Sequence, residues 1–323
     1  MAETKDMLNG KFDLHTHMGG STPDYVLWEI SQNLGYRLPT ENYWQFKEAV
    51  RSTYKKADSY FEIMDIVEDI QSNCEGVESS TYAIFSEAAR DGITYLELRF
   101  NPLKRTGRNL RMGQIIKAAR RGFEKANDHY GIKGGLILSL GRDMTLEQNN
   151  EIIDKAIQYS GKGVVGIDVA GRETKYEFNP RQYRLKFMEA KMAGLGITVH
   201  AGEEFYDGVH QHMVDMIEIL NPDRIGHGIA CHTSDYVMGI ISSSNILLEI
   251  CPTSVIYNGY VKNTDEMCNI IKTIRKNKIN MAICTDGTRI LGTDISNELE
   301  IFGKYSASKD IIQNKLFYKG KTK

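Results

Sequence analysis

Eight short apolar runs, separated by longer amphipathic stretches, constrain this chain more than any other feature. The runs are KFDLH (11–15), ITYLELRF (93–100), GLILSL (135–140), VVGIDV (164–169), ITVH (197–200), DRIGH (223–227), ILLEI (246–250) and INMAICT (279–285). Most are rich in Ile, Val and Leu and too short for helices, which is how strands covered on both faces read. Helical patterns lie between them, at 60–90, 112–130, 146–159, 181–193, 213–220 and 266–276. Strands alternating with helices imply a parallel sheet, and this number of units predicts an α/β fold, a closed (β/α)8 TIM barrel rather than an open doubly wound sheet. One barrel with insertions accounts for the whole of residues 1–323 as a single domain.

One connection breaks the rhythm. Residues 18–91 separate the first two strands, far more chain than one βα unit needs. They are expected to form a helical insertion lying over the barrel mouth as a lid. At the other end, FYKGKTK (317–323) reads as a basic tail that frays.

Composition narrows the partners. A net charge of −2 gives no reason to expect a nucleic acid polymer or an anionic membrane. No apolar run approaches the roughly 18 residues of a membrane helix. MAETKDMLNG at residues 1–10 lacks the basic and apolar regions of a secretory signal. The five cysteines are scattered without a CxxC pair, which fits a reducing compartment and argues against a thiolate zinc site. The expectation is a cytoplasmic protein that acts on a small molecule.

In such a barrel the active site sits at the C-terminal ends of the strands. His15 and His17 end the first strand, and residues i and i+2 of a strand point to one side. His200 ends the fifth strand, His227 ends the sixth, and Asp286 follows the eighth. Three imidazoles and a carboxylate suit one Zn²⁺ per chain with a position left for water, whose pKa then falls to about 7. Glu203, three residues past His200, is placed to act as a general acid or base. His227 stands either as a ligand or as a group orienting the hydroxide. Asp286 stands as a ligand that can also accept the proton of the attacking water.

An HxH pair alone carries little weight; its coincidence with histidines and an aspartate at other strand ends carries much more. His210 and His212 form a second HxH, but at the start of a helix, where i and i+2 do not face each other. His129 and His232 read as surface residues, Cys284 as a buried thiol, Arg99 as a structural ion-pair residue, and the basic run 117–121 as a solvated helix face.

Taken in order, HTHMGGS, YLELRFNP, GIDVAGRE, TVHAGEE, RIGHG, LEICPTS and CTDGT resemble the motifs of the adenosine deaminase family over residues 10 to 300. The resemblance implies hydrolytic removal of the amino group of a 6-aminopurine nucleoside or nucleotide, with release of ammonia. It implies zinc held by His15, His17, His200 and Asp286. Glu203 would protonate the purine ring nitrogen beside the reacting carbon, and His227 would orient the hydroxide and stabilise the developing charge. The backbone amide of Gly171 would meet the opposite side of the purine.

Two positions depart from the family pattern. Gly19 stands where an acidic residue usually contacts the sugar end, and Gly287 stands where a second aspartate usually reaches the imidazole side of the purine. Losing a carboxylate beside the sugar removes a charge that would repel phosphate. Arg172 and Arg289 would add positive charge near the mouth. The expected substrate is therefore a phosphorylated or otherwise enlarged adenine compound. Two other readings compete: another amidohydrolase of this barrel type, and a catalytically silent purine-nucleotide-binding relative. Two-metal barrels often bridge their ions with a lysine at the end of strand 4, and Asp-Val-Ala-Gly-Arg at 168–172 contains none.

Overall fold

The structure is a computed structural model that describes residues 10–36, 38, 40–52, 66–107 and 109–317. The eight strands are β1 (Lys11–His17), β2 (Ile93–Phe100), β3 (Lys133–Gly141), β4 (Val164–Ala170), β5 (Gly196–Ala201), β6 (Arg224–His227), β7 (Leu247–Ile250) and β8 (Met281–Ile283). All neighbouring pairs are parallel and follow sequence order. The ring closes just beyond β8. The His17 amide donates to Asp286 O at 2.7 Å, and the Asp286 amide donates to His15 O at 2.8 Å. The predicted barrel is thus the observed one, although strand 8 is shorter than 279–285, and beyond it Asp286 bridges to Thr16 of β1.

The helices are α1 (Met18–Ser21), α2 (Asp24–Asn33), α3 (Tyr43–Ser52), α4 (Cys74–Arg90), α5 (Met112–Tyr130), α6 (Leu146–Tyr159), α7 (Arg184–Met192), α8 (Val209–Leu220), α9 (Asp235–Ser243), α10 (Pro252–Tyr257), α11 (Thr264–Lys276), α12 (Thr288–Leu291), α13 (Ile295–Phe302) and α14 (Lys309–Gln313). Helical spacing explains what the ring helices bury. Ile115, Ile116, Ala119 and Ala126 of α5 and Ile152, Ile153 and Ala156 of α6 are fully buried. Gly122 lets α4 approach α5 closely, since a Cβ there would lie 2.4 Å from Glu78 O.

The long connection divides in two. Residues 60–90 do not form one helix: Asn73 is extended and its side chain accepts from Gly76 N, starting α4 afresh at Cys74. The N-terminal part of that expectation, residues 60–65, lies outside the described residues. The helix α4 packs in the outer ring against α5. The stretch before it has a small core of its own, Val26, Leu27, Ile30, Phe46, Val50, Val67 and Ile70, resting on Ala83 of α4 and on Ile290 and Leu291 of α12.

The floor of the barrel is closed by the C-terminal segment. The Phe317 ring lies under Arg224, 3.5 Å from its guanidinium carbon, and its amide donates to Glu97 Oε1 at 2.8 Å. Phe317 is therefore a packed residue, not the start of a frayed tail; residues 318–323 lie outside the described ones. Among the described residues no helix is long and apolar enough to cross a membrane.

Candidate active site

The site is built where the strands end. His15 and His17 leave β1 on the same side with ring centroids 5.2 Å apart, as the two-residue period requires. His200 comes from β5, with its centroid 4.7 Å from His15 and 5.1 Å from His17. His227, the last residue of β6, lies 4.9 Å from His15. Asp286 approaches with Oδ1 at 3.6 Å from His17 Nε2 and 3.9 Å from His15 Nε2. Backbone strain helps to aim two of these groups. His227 at φ 58° and Asp286 at φ 67° both occupy the left-handed region, which costs a non-glycine residue of order 1–3 kcal/mol.

The residues beneath hold the imidazoles in place. His15 Nδ1 donates to Glu249 Oε2 at 2.8 Å, and His200 Nδ1 donates to Asp168 Oδ1 at 3.0 Å. Each bond fixes the tautomer and turns Nε2 toward the centre. His15 Nε2 is buried without a hydrogen-bond partner. His17 Nε2 and His200 Nε2 are 3.1 Å apart, close to the roughly 3.3 Å that two nitrogens adopt on one tetrahedral zinc-sized ion. His15, His17 and Asp286 can hold one ion together, as can His17, Asp168 and His200, or His15, His200 and His227. An orphaned buried nitrogen amid converging donors fits a metal centre, and nothing else within hydrogen-bond reach satisfies it.

The ionisation states of His15 and His17 agree with that use, whereas at His200 burial is outweighed by the Asp168 carboxylate, which raises it above the usual histidine range. Burial first, then neighbouring positive groups, hold His15 and His17 well below the usual histidine range, so both are neutral donors. Burial likewise lowers His227 to about 3. Glu203 lies with Oε2 3.6 Å from His227 Nε2 and accepts a long contact from Asn258 Nδ2 at 3.5 Å. Burial and the nearby Asp286 carboxylate push it up to about 8. A carboxyl in that state is protonated at neutral pH and can donate.

Above these groups opens a cleft of about 980 Å³, open solvent at its mouth included. Gly19, Gly171, Glu203, His227 and Asp286 line it. Gly171 has φ 108°, a conformation only glycine takes readily, and a Cβ there would lie 3.4 Å from the Arg142 backbone. Gly287 is buried beside Asp286, where a Cβ would meet the backbone of Gly20 at 3.3 Å. Arg172 lines the cleft, but Arg289 does not: it pairs with Glu87.

Arg99 is fully buried and paired, as expected of a structural ion-pair residue, with Nη2 donating to Glu249 Oε2 at 2.8 Å. Cys284 is a buried thiol. His210 bonds Thr233 Oγ1 at 2.8 Å and His129 bonds Tyr82 at 3.0 Å, both away from the centre. Sequence reasoning missed Asp168, Glu249, Glu173 and Asn258. The available signal was a charged residue inside an otherwise apolar strand, as in VVGIDV and ILLEI.

With this geometry in hand, comparison with known proteins is direct. The adenosine deaminase family profile matches residues 10–308. An adenosine deaminase of Clostridium botulinum (strain 657 / Type Ba4) is 30% identical over 297 residues, covering 91% of this chain and 88% of the relative. Two solved structures share the fold. An Arabidopsis N6-mAMP deaminase superposes with TM-score 0.81 at 24% identity, covering 98% of this chain and 96% of the other. An amidohydrolase from Burkholderia ambifaria with bound Zn gives 0.80 at 18% identity, covering 97% and 85%. The extent of the family match over this barrel and these converging histidines places the chain in the adenosine deaminase family, as a hydrolytic deaminase of adenine compounds.

Proposed function

We propose that the cleft binds a 6-aminopurine nucleoside or nucleotide over a single zinc ion held by His15, His17, His200 and Asp286. The observation that carries this is the buried, unpartnered His15 Nε2 facing the other donors. A zinc ion there would lower the pKa of a water molecule to about 7 and so would supply a nucleophile at neutral pH.

The chain's own residues do the rest. Glu203, protonated at neutral pH, donates to the ring nitrogen next to the reacting carbon, which makes that carbon electrophilic. Asp286 accepts the proton of the attacking water; its other oxygen is held by Ser254 Oγ at 2.5 Å. His227 orients the nucleophile and steadies the charge that develops as it attacks. Gly171 offers its amide to the opposite edge of the purine. Water adds across the carbon–ring-nitrogen bond, the proton taken by Asp286 passes to the amino group, the carbon–nitrogen bond breaks as ammonia leaves, and the proton remaining on the new oxygen returns to Glu203.

The substrate is a phosphorylated adenine compound in this reading. Gly19 leaves the cleft without a carboxylate at the expected sugar end, so like-charge repulsion of phosphate is absent there. Lys104 and Arg172 line the same cleft, and each rests on carboxylates that a phosphate would exchange with: Asp143 at 3.0 Å from Lys104, and Glu204 at 3.7 Å from Arg172. The name of the Arabidopsis neighbour, an N6-mAMP deaminase, points the same way. Ammonia release from adenosine, AMP, ATP and N6-methyl-AMP tests it. A kcat/KM for a nucleotide at least about tenfold above that for adenosine, or ~1.4 kcal/mol, supports the reading. Adenosine as far the best substrate defeats it. The reading also keeps the protein cytoplasmic, where such nucleotides and reduced cysteines occur together.

A further inference from the structure

The sequence motif after β4 ends in Glu173, and nothing in the reaction above uses it. Its side chain is almost wholly buried, at 2% exposure. It reaches the loop after β5, where Oε2 accepts from Gly202 N at 3.0 Å and Oε1 accepts from Glu203 N at 2.9 Å. A carboxylate gripping two consecutive amides fixes the orientation of that peptide, and with it the Cα–Cβ direction of Glu203. The grip has its own support. Tyr206 OH donates to Oε2 at 3.4 Å, and His212 Nε2 lies 3.8 Å away. His212, half of the uninformative HxH, thus faces this carboxylate and not a metal. Gly202 completes the arrangement: it turns at φ 73°, which favours glycine, and a Cβ there would have to displace the end of the Met213 side chain, whose Sδ lies 2.5 Å away.

We propose that Glu173 is a positioning residue for the proton donor: through the amides of Gly202 and Glu203 it holds the Glu203 carboxyl in line with the substrate ring nitrogen. This rests on the reading of Glu203 as that donor. A misplacement of about 1 Å in a reacting group can cost on the order of a hundredfold in rate, so the clamp has a kinetic signature. Glu173→Gln keeps the shape but presents an NH₂ to one of the two amides.

Steady-state kinetics with adenosine and AMP as probes, together with zinc per chain by elemental analysis, tests the inference on the full-length zinc-loaded protein. The expected result is a kcat lowered roughly ten- to a hundredfold, with KM within about twofold and zinc content unchanged. Glu173→Asp, which retains both acceptors on a shorter arm, should lie between wild type and Glu173→Gln. A kcat within about twofold of wild type in Glu173→Gln overturns the proposal, and so does a loss in which KM or zinc content moves along with kcat. If Glu173→Gln does not fold, Glu173→Asp takes its place: a lowered kcat at unchanged KM and zinc content supports the clamp, and a wild-type kcat overturns it. Glu203→Gln, measured alongside, separates the two claims. Full turnover in Glu203→Gln removes the donor reading itself, whereas a dead Glu203→Gln beside a normal Glu173→Gln removes only the clamp.

Discussion

Two layers of the barrel hold buried charge, and they hold it differently. In the lower layer Arg99, Arg224, Glu97 and Glu249 are fully buried and their charges are paired with one another, although Arg99 Nε and Nη1 and Arg224 Nε make no hydrogen bond. Glu249 accepts from Arg99 and His15 at 2.8 Å and from Thr198 at 3.1 Å, and pairs with Arg224 Nε at 2.6 Å. In the upper layer the matching is incomplete. His15 Nε2 and His227 Nδ1 lack partners, Glu203 is pushed up to about 8, and two residues sit in strained backbone. Buried polar groups left unsatisfied are costly, so converging orphaned histidine nitrogens beside a carboxyl with a raised pKa, resting on a layer whose charges are paired, mark where ligand and chemistry complete the set. The lower layer contributes geometry; the upper layer contributes reactivity.

The comparison can be broken by substitutions that touch one layer at a time. The largest expected effect is in the upper layer: Glu203→Gln should lower kcat by about 10²–10⁴-fold, the usual contribution of a positioned proton donor. Its urea midpoint should not fall, because a neutral amide replaces a group whose charged form is disfavoured by burial. A destabilised but active variant would reverse the assignment of layers. In the lower layer, Glu249→Ala removes a carboxylate that two buried guanidinium groups share, leaving Arg224 with Glu97 and Arg99 with Asp168. Denaturant unfolding should show a loss of about 3–5 kcal/mol, the range for breaking a buried ion pair. Retained stability would mean that the lower layer is not the foundation.

A smaller effect separates the layers by pH. Glu203 must be protonated to donate, and its pKa lies at about 8. The rate should therefore hold through neutral pH and fall about tenfold per unit well above 8, as the proton is lost. A rate that keeps rising through pH 9 contradicts a protonated donor. The smallest effect is expected at the cleft wall. Gly171→Ala forces a side chain into φ 108° and should cost roughly 1 kcal/mol of stability, with a rise in KM that exceeds any change in zinc content.

Much of this was legible in the chain. The alternation of apolar runs with helical patterns led to the barrel because each parallel strand must be covered on both faces. The histidines could be placed because a strand's two-residue period and the barrel's polarity put His15, His17, His200 and Asp286 at one end. The ring helices α5 and α6 also begin and end where the pattern placed them. What escaped was long-range. Asp168 and Glu249 look like strand residues, and only the closed ring shows that they face His200 and His15. The break before Cys74 hid inside a continuous helical pattern, because Asn73 acts through one local hydrogen bond. Phe317 seemed part of a basic tail, yet its ring is claimed by Arg224 from a strand far away in sequence. The left-handed turns at His227 and Asp286 also escaped: His and Asp adopt that backbone more often than most residues, but still too rarely for the residue type alone to locate it.

Removing and restoring the metal tests the central claim most directly. Purified protein should carry one zinc ion per chain, release ammonia from an adenine compound, lose that activity when the metal is chelated away, and recover it with one equivalent of zinc. Turnover by metal-free protein, or a requirement for two ions per chain, would contradict a single-ion deaminase centre at His15, His17, His200 and Asp286.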